Sequence, residues 1–268
     1  ATLRSSENTR HFWASRSVDG ESGTSFSRGA RGTIFAQVYR PTAAMVYESE
    51  IQFTLDTICP WTYLAKRRLD RALEQIPSDA PVRFSVKYLP YQLYPEASQA
   101  GEDKYEWYKK SKYDDSEEKM KMYTTLMSAY GATEGIEYKF GGTVANTLQA
   151  HRLIQHFQEV KGVEVADKIV KSLYRQYFEE EKHPSSSDTL LRAATEAGVP
   201  ESEAQAFIGD EDEGLMDVKM LIREQAGNGI DSVPYIVIEG KRRDLTLVGA
   251  KEVEEYVKAL IQVIKESG

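Results

Sequence analysis

Apolar and polar positions alternate through Ile51-Gln52-Phe53-Thr54-Leu55, which predicts a short strand carrying Ile51, Phe53 and Leu55 on one face. A helix is expected from about Pro60, because proline suits a first helical turn whose N–H has no partner to lose. Leu64, Arg67, Arg68 and Leu73 fit its amphipathic pattern, which ends near Pro77. Alternation returns after Pro81, with Val82, Phe84, Val86 and Tyr88 on one face of a second strand. From about Gly101 to Asn228 the period changes to that of a helix, in segments bounded by Gly, Pro or Ser. The chain closes with a strand in "VPYIVIEG", a second in "RDLTLVG", a hairpin turn at "EGKR" between them, and a helix in "AKEVEEYVKALIQVIKES".

Strand, helix, strand, helical block, strand, strand, helix is the order of an α/β fold: a mixed sheet with a large all-helical insertion. Residues 48–100 and 229–268 are expected to form one domain around the sheet, and residues 101–228 a helical subdomain inserted in it.

Composition sets the first 44 residues apart. They hold six arginines, no lysine and three acids, a charge of +3 that leaves −11 on the rest of a chain whose net charge is −8. Serine is frequent and no apolar period persists. The segment reads either as a disordered extension or as a transit-like leader, with Met45 as a second plausible start. The acidic balance argues against nucleic acid as a partner, since phosphate binding needs a basic face. No apolar run approaches the roughly 20 residues of a membrane helix. One cysteine in 268 residues permits no internal disulfide and fits a reducing compartment. The expected location is therefore the cytoplasm, with mitochondria as the alternative.

That cysteine stands in Cys59-Pro60-Trp61-Thr62-Tyr63, between the first strand and its helix. A thiol at a helix N-terminus is stabilised as thiolate by the dipole and the free N–H groups, which predicts a lowered pKa. Thr62, one turn later, could add a hydrogen bond from its hydroxyl. The plainer alternative is a small buried hydrophobe.

Several motifs together carry a resemblance. Asp56, Cys59, Pro60, Trp61 and Tyr63 precede a basic, leucine-bearing helix through Lys66, Arg67, Arg68 and Leu69. Asn146, Ala150, His151, Arg152 and Leu153 form a second motif, Val233 to Ile238 a third, and Gly249 with Ala250 a fourth. From about Glu48 onward the chain resembles the DsbA-like branch of the thioredoxin fold, in particular FrnE-like proteins. It is also similar to the related kappa-class glutathione transferases and chromene-carboxylate isomerases, which lack a cysteine pair and hold glutathione at this place. Thr62 stands where the FrnE-like pattern has its second cysteine, so a dithiol cycle is closed to this chain.

The resemblance implies Cys59 and Thr62 as the catalytic pair. It implies glutathione as co-substrate, held by Pro60, Trp61, Val233, Pro234, Gly249 and Ala250. It also implies a cis peptide bond before Pro234; an ordinary trans proline opening an edge strand is the alternative. His151 could approach Cys59 as an acid or base, or serve as a structural partner as Asn146 could. His156, five residues on, lies about 140° around the helix from it.

No Cys/His cluster suggests a metal. Tyr88, Tyr91, Tyr94, Tyr105, Trp107 and Tyr108 could line an aromatic cleft or simply pack in a core or interface, a homodimer included. Three functions stay open: a single-cysteine, glutathione-linked oxidoreductase acting on a disulfide or electrophile; a glutathione-dependent transferase or isomerase of a small molecule; and a thioredoxin-fold binding protein without turnover.

Overall fold

Strand β1 (Tyr47–Leu55) runs through the middle of the sheet, and its inward face, Ile51, Phe53 and Leu55, is sealed from solvent. These coordinates come from a computed structural model that describes residues 46–267, so the expectations for residues 1–44 fall outside it. Helix α1 (Pro60–Leu73) follows, then β2 (Val82–Pro90), parallel to β1 with Phe53 beside Tyr88. A two-residue strand β3 (Glu102–Asp103) leads into α2 (Lys104–Lys112) and α3 (Glu117–Thr133), and β4 (Thr143–Val144) pairs back on β3. The remaining helices of the insertion are α4 (Leu148–Lys161), α5 (Val163–Phe178), α6 (Ser187–Glu196), α7 (Glu201–Gly209) and α8 (Leu215–Gly227). Strands β5 (Tyr235–Ile238) and β6 (Leu245–Val248) and helix α9 (Val253–Ser267) complete the chain.

The sheet order is β2-β1-β5-β6, with β5 antiparallel to β1 and β6 antiparallel to β5. This is the mixed sheet that the alternating segments predict. Two details differ from the sequence reading. The insertion is helical except for the β3–β4 ladder, too short to show any alternation. The β5–β6 connection runs from Glu239 to Asp244, longer than a tight turn, and the Asp244 side chain closes it by accepting from the Gly240 amide.

One core joins the sheet to the inserted helices: Ile51, Phe53, Leu64, Leu69, Ile154, Phe157, Ile169, Tyr174, Ile236 and Leu260 all belong to it. Burying each large apolar side chain contributes roughly 1.5–3 kcal/mol. The free edge of β2 is covered by α4. Gln158 Oε1 accepts from the Tyr88 amide at 2.8 Å, and the Gln155 and Gln158 amides donate to the Tyr88 carbonyl. That pairing blunts an edge otherwise open to another strand.

Two ion-pair groups fix α1. Lys66, buried in mid-helix, pairs with Asp70 and with Asp167 of α5, which also accepts from the Tyr88 hydroxyl. Burial works against the Asp167 charge, but Lys66, Lys171 and Tyr88 hold its carboxyl down to about 2. Farther along, Glu134, just past α3, accepts from Arg68 at 3.1 Å and Arg71 at 2.7 Å, which clamps the end of α3 onto α1. No helix among the described residues is long and apolar enough to cross a membrane.

Candidate active site

The chain leaves β1 through a turn, Asp56 to Cys59, closed by the Cys59 amide donating to the Asp56 carbonyl at 3.0 Å. Cys59 is then the N-cap of α1, with extended backbone angles (φ −88°, ψ 114°), and Pro60 opens the helix. The Cys59 carbonyl accepts from the amides of Thr62 and Tyr63. The sequence expectation of a thiol at a strand end and helix start is met.

Its environment is another matter. Cys59 is only 4 % exposed. Tyr63 stacks on Tyr174 at 4.9 Å and on Phe178 at 5.8 Å, and Tyr138 donates from its hydroxyl to the Pro60 carbonyl at 2.6 Å. Trp61, half-buried, meets the edge of Tyr130 at 5.5 Å. Burial therefore pushes the Cys59 thiol up to about 12; the amides of Thr62 and Trp61 oppose this, and the Asp56 charge adds to it. The expected lowering is corrected: helix-terminus stabilisation, worth about 0.3–1 kcal/mol, loses to desolvation.

Thr62 also departs from expectation. Its single hydroxyl proton faces the Cys59 carbonyl at 2.7 Å and the Asp56 carbonyl at 2.9 Å. The hydroxyl lies near enough to the sulfur to favour the thiolate, yet these carbonyls compete for its proton.

The opposite wall is the segment before β5. The Val233–Pro234 bond is cis, and the Cys59 thiol points at the Val233 carbonyl, 3.8 Å from Sγ. Gly249 donates its amide to the Pro234 carbonyl at 2.9 Å and holds φ at +81°, a left-handed conformation that glycine adopts without strain. Ala250 packs half-buried against the core. Pro60, Trp61, Val233, Pro234 and Gly249 thus gather around or directly behind the sulfur.

Asn146 does not face the sulfur. It braces the loop after β2, donating to the Pro95 carbonyl and accepting from Gln92 and from the Leu148 amide. His151 lies in the interior with Nε2 3.4 Å from Asp56 Oδ1, while His156 stacks on Phe207 at 4.0 Å, on another face of α4. The aromatic run after β2 divides: Tyr88 and Tyr108 are core, Tyr94 and Trp107 pack edge to face at 4.4 Å, Tyr105 hydrogen-bonds Glu117 at the surface, and Tyr91 donates to the Asp231 carbonyl.

The rings whose ionisation the Cys59 charge opposes include Tyr94 and Tyr108 from that run, and also Tyr123, Tyr138 and Tyr174 from the inserted helices and the segment after α3, three residues the sequence reading did not single out. The period of α5 marks Tyr174, Tyr177 and Phe178 as buried, but nothing local says that they meet Tyr63. Among the described residues no group of three or more His, Cys, Asp or Glu side chains converges as a metal would require.

A family model described as the DSBA-like thioredoxin domain matches residues 50–261. No curated protein matches the chain in sequence. Among solved structures, a probable DsbA oxidoreductase from Streptomyces coelicolor superposes with a TM-score of 0.69 at 24 % identity, covering 81 % of this chain and 91 % of that one. A 2-hydroxychromene-2-carboxylate isomerase gives 0.59 at 14 % identity, over 81 % and 97 %. The cytosolic disulfide reductase DsbM from Pseudomonas aeruginosa with GSH gives 0.50 at 13 %, over 81 % and 96 %. At these identities the superpositions report a shared fold. The family model spans most of the chain, from mid-β1 into α9, and the chain belongs to the DsbA-like thioredoxin domain family.

Proposed function

We propose that the protein is a thiol oxidoreductase that works through Cys59 alone, with glutathione completing the cycle. One observation carries the reading: the only thiol of the chain caps α1 against the cis Val233–Pro234 segment. In the first step Cys59 attacks a substrate disulfide, forming one S–S bond as another breaks. Glutathione thiolate then attacks the mixed disulfide and releases Cys59. Thr62 carries no sulfur, so resolution comes from outside.

Pro60, Trp61, Val233, Pro234, Gly249 and Ala250 would hold the glutathione, with the backbone beside Pro234 pairing to its extended peptide. The fold-level likeness to a disulfide reductase solved with GSH supports this choice of co-substrate. Incubating the protein with oxidised glutathione and mapping the adduct by mass spectrometry tests the reading. A mixed disulfide on Cys59 is expected; an unmodified Cys59 in the folded protein overturns it.

A specific observation favours a second reading. A thiol that burial keeps protonated is a hydrogen-bond donor, and a donor here could hold the thiolate of glutathione itself. The protein would then be a glutathione-dependent transferase or isomerase, a class represented among its fold relatives by the chromene-carboxylate isomerase. In that case glutathione would stay unlinked, and Cys59→Ser would keep turning over.

A further inference from the structure

Strand β1 has a second face. Gln52 and Thr54 alternate with Ile51, Phe53 and Leu55 and so point to the other side of the sheet. The register sets Lys87 of β2 and Val237 of β5 beside Gln52, and Leu89 and Tyr235 beside Thr54. Helix α8 lies over these two rows and leaves a cleft of about 360 Å³ beneath it, near the lower end of the range of small-molecule sites. None of the residues assigned to the Cys59 site lines it.

The roof of the cleft departs from the usual helix pattern. Val218, Leu221 and Gln225 recur at i, i+3 and i+7, the spacing of one helix face, and Val218 and Gln225 are the buried residues of α8. A glutamine thus occupies a position where an apolar side chain would ordinarily pack. It is only 4 % exposed, yet its amide makes no hydrogen bond among the described residues. Thr54, across the cleft and 1 % exposed, has a hydroxyl equally without a partner there. Each buried polar group left unmatched costs about 1–3 kcal/mol. Two of them at one cleft point to a ligand that matches them.

The other groups define its chemistry. Asn228, Tyr235 and Glu224 line the same cleft, and their side chains make no hydrogen bond among the described residues either. Amides and hydroxyls present donors and acceptors together, which suits a hydroxylated molecule. The charges then choose among such molecules. Lys87 is neutralised by Glu50 at 3.6 Å, whereas Glu224 has no cationic partner among the described residues. Past Lys87 the cleft continues between Glu159, Glu213 and Asp217. An anion is repelled here and an ammonium group attracted.

We propose that this cleft binds a small polyhydroxylated amine of the amino-sugar class. Its hydroxyls bond Thr54, Gln225, Asn228 and Tyr235, and its ammonium group faces Glu224. The site works by binding alone, so it stands apart from whatever chemistry Cys59 performs.

Glucosamine is the probe, titrated calorimetrically into the full-length protein at pH 6, where its amine is charged. Glucose and gluconate serve as the uncharged and anionic counterparts. Saturable binding of glucosamine is expected, with glucose about threefold weaker, as befits one exposed ion pair, and gluconate not bound. Thr54→Val and Gln225→Leu put apolar groups of similar shape in place of the unmatched ones. Each variant should therefore be as stable as wild type or more so in denaturant unfolding, and should bind glucosamine about tenfold more weakly. If Gln225→Leu does not fold, Thr54→Val decides. A cleft that holds only water and gives no heat with glucosamine overturns the inference. So does gluconate bound as tightly as glucosamine, or variants that bind like wild type, or a loss of stability in both variants.

Discussion

Replacing Cys59 by Ser should change the pH dependence of stability in a direction that the burial of the thiol sets. The thiol ionises near its ordinary value of 9.0 when the chain is unfolded and near about 12 when folded, because burial penalises the thiolate. A raised folded-state value gives stability that is fully present below pH 9 and lost as pH rises toward 12. At pH 8 almost none is lost in either state. At pH 10 the unfolded thiol is largely ionised and the folded one is not, which costs the wild type on the order of 1 kcal/mol. Cys59→Ser has no such group.

Guanidinium unfolding of both proteins at pH 8, 9 and 10 measures this directly. The buried tyrosines and Lys104, whose ammonium burial lowers to about 8, titrate in both proteins and cancel in the difference. The expected result is that the stability of wild type minus that of Cys59→Ser falls by on the order of 1 kcal/mol between pH 8 and pH 10. A constant difference would refute the claim that the folded site suppresses ionisation.

Thr62→Cys should place a second sulfur one turn along α1 and allow an intramolecular disulfide with gain of insulin reduction; two free thiols after mild oxidation would contradict this. Glu134→Ala should destabilise the protein by about 3 kcal/mol in denaturant unfolding, because it leaves the Arg68 guanidinium, 4 % exposed, without its buried carboxylate; a loss under about 1 kcal/mol would show that Glu252 and the Lys251 carbonyl suffice for Arg68.

The strands were legible because alternation at Ile51, Phe53 and Leu55 and at Val82 to Tyr88 records one buried face, and burial is what the structure then shows for β1. The position of Cys59 was legible too, since a proline after a strand marks a helix start. Its acidity was not. Helix capping is a local property, readable from Cys59 and Pro60, whereas burial depends on chain brought in from far along the sequence: Val233, whose carbonyl faces the thiol, lies 174 positions away. The Asp56–His151 meeting was hidden for the same reason. His151 could be flagged as titratable, and Asp56 as part of a motif, but only the packing of α4 beside the β1 turn brings them together. The β3–β4 ladder, two residues on each side, leaves no period to read.

The most direct test of the account is glutathione-dependent disulfide turnover by wild type and Cys59→Ser, measured side by side with a small mixed disulfide and a glutathione-recycling couple. Loss of turnover in Cys59→Ser by about a hundredfold or more is the expected result, since the sulfur itself forms the intermediate. Turnover by Cys59→Ser at the wild-type rate would contradict the account and place the reacting sulfur on glutathione.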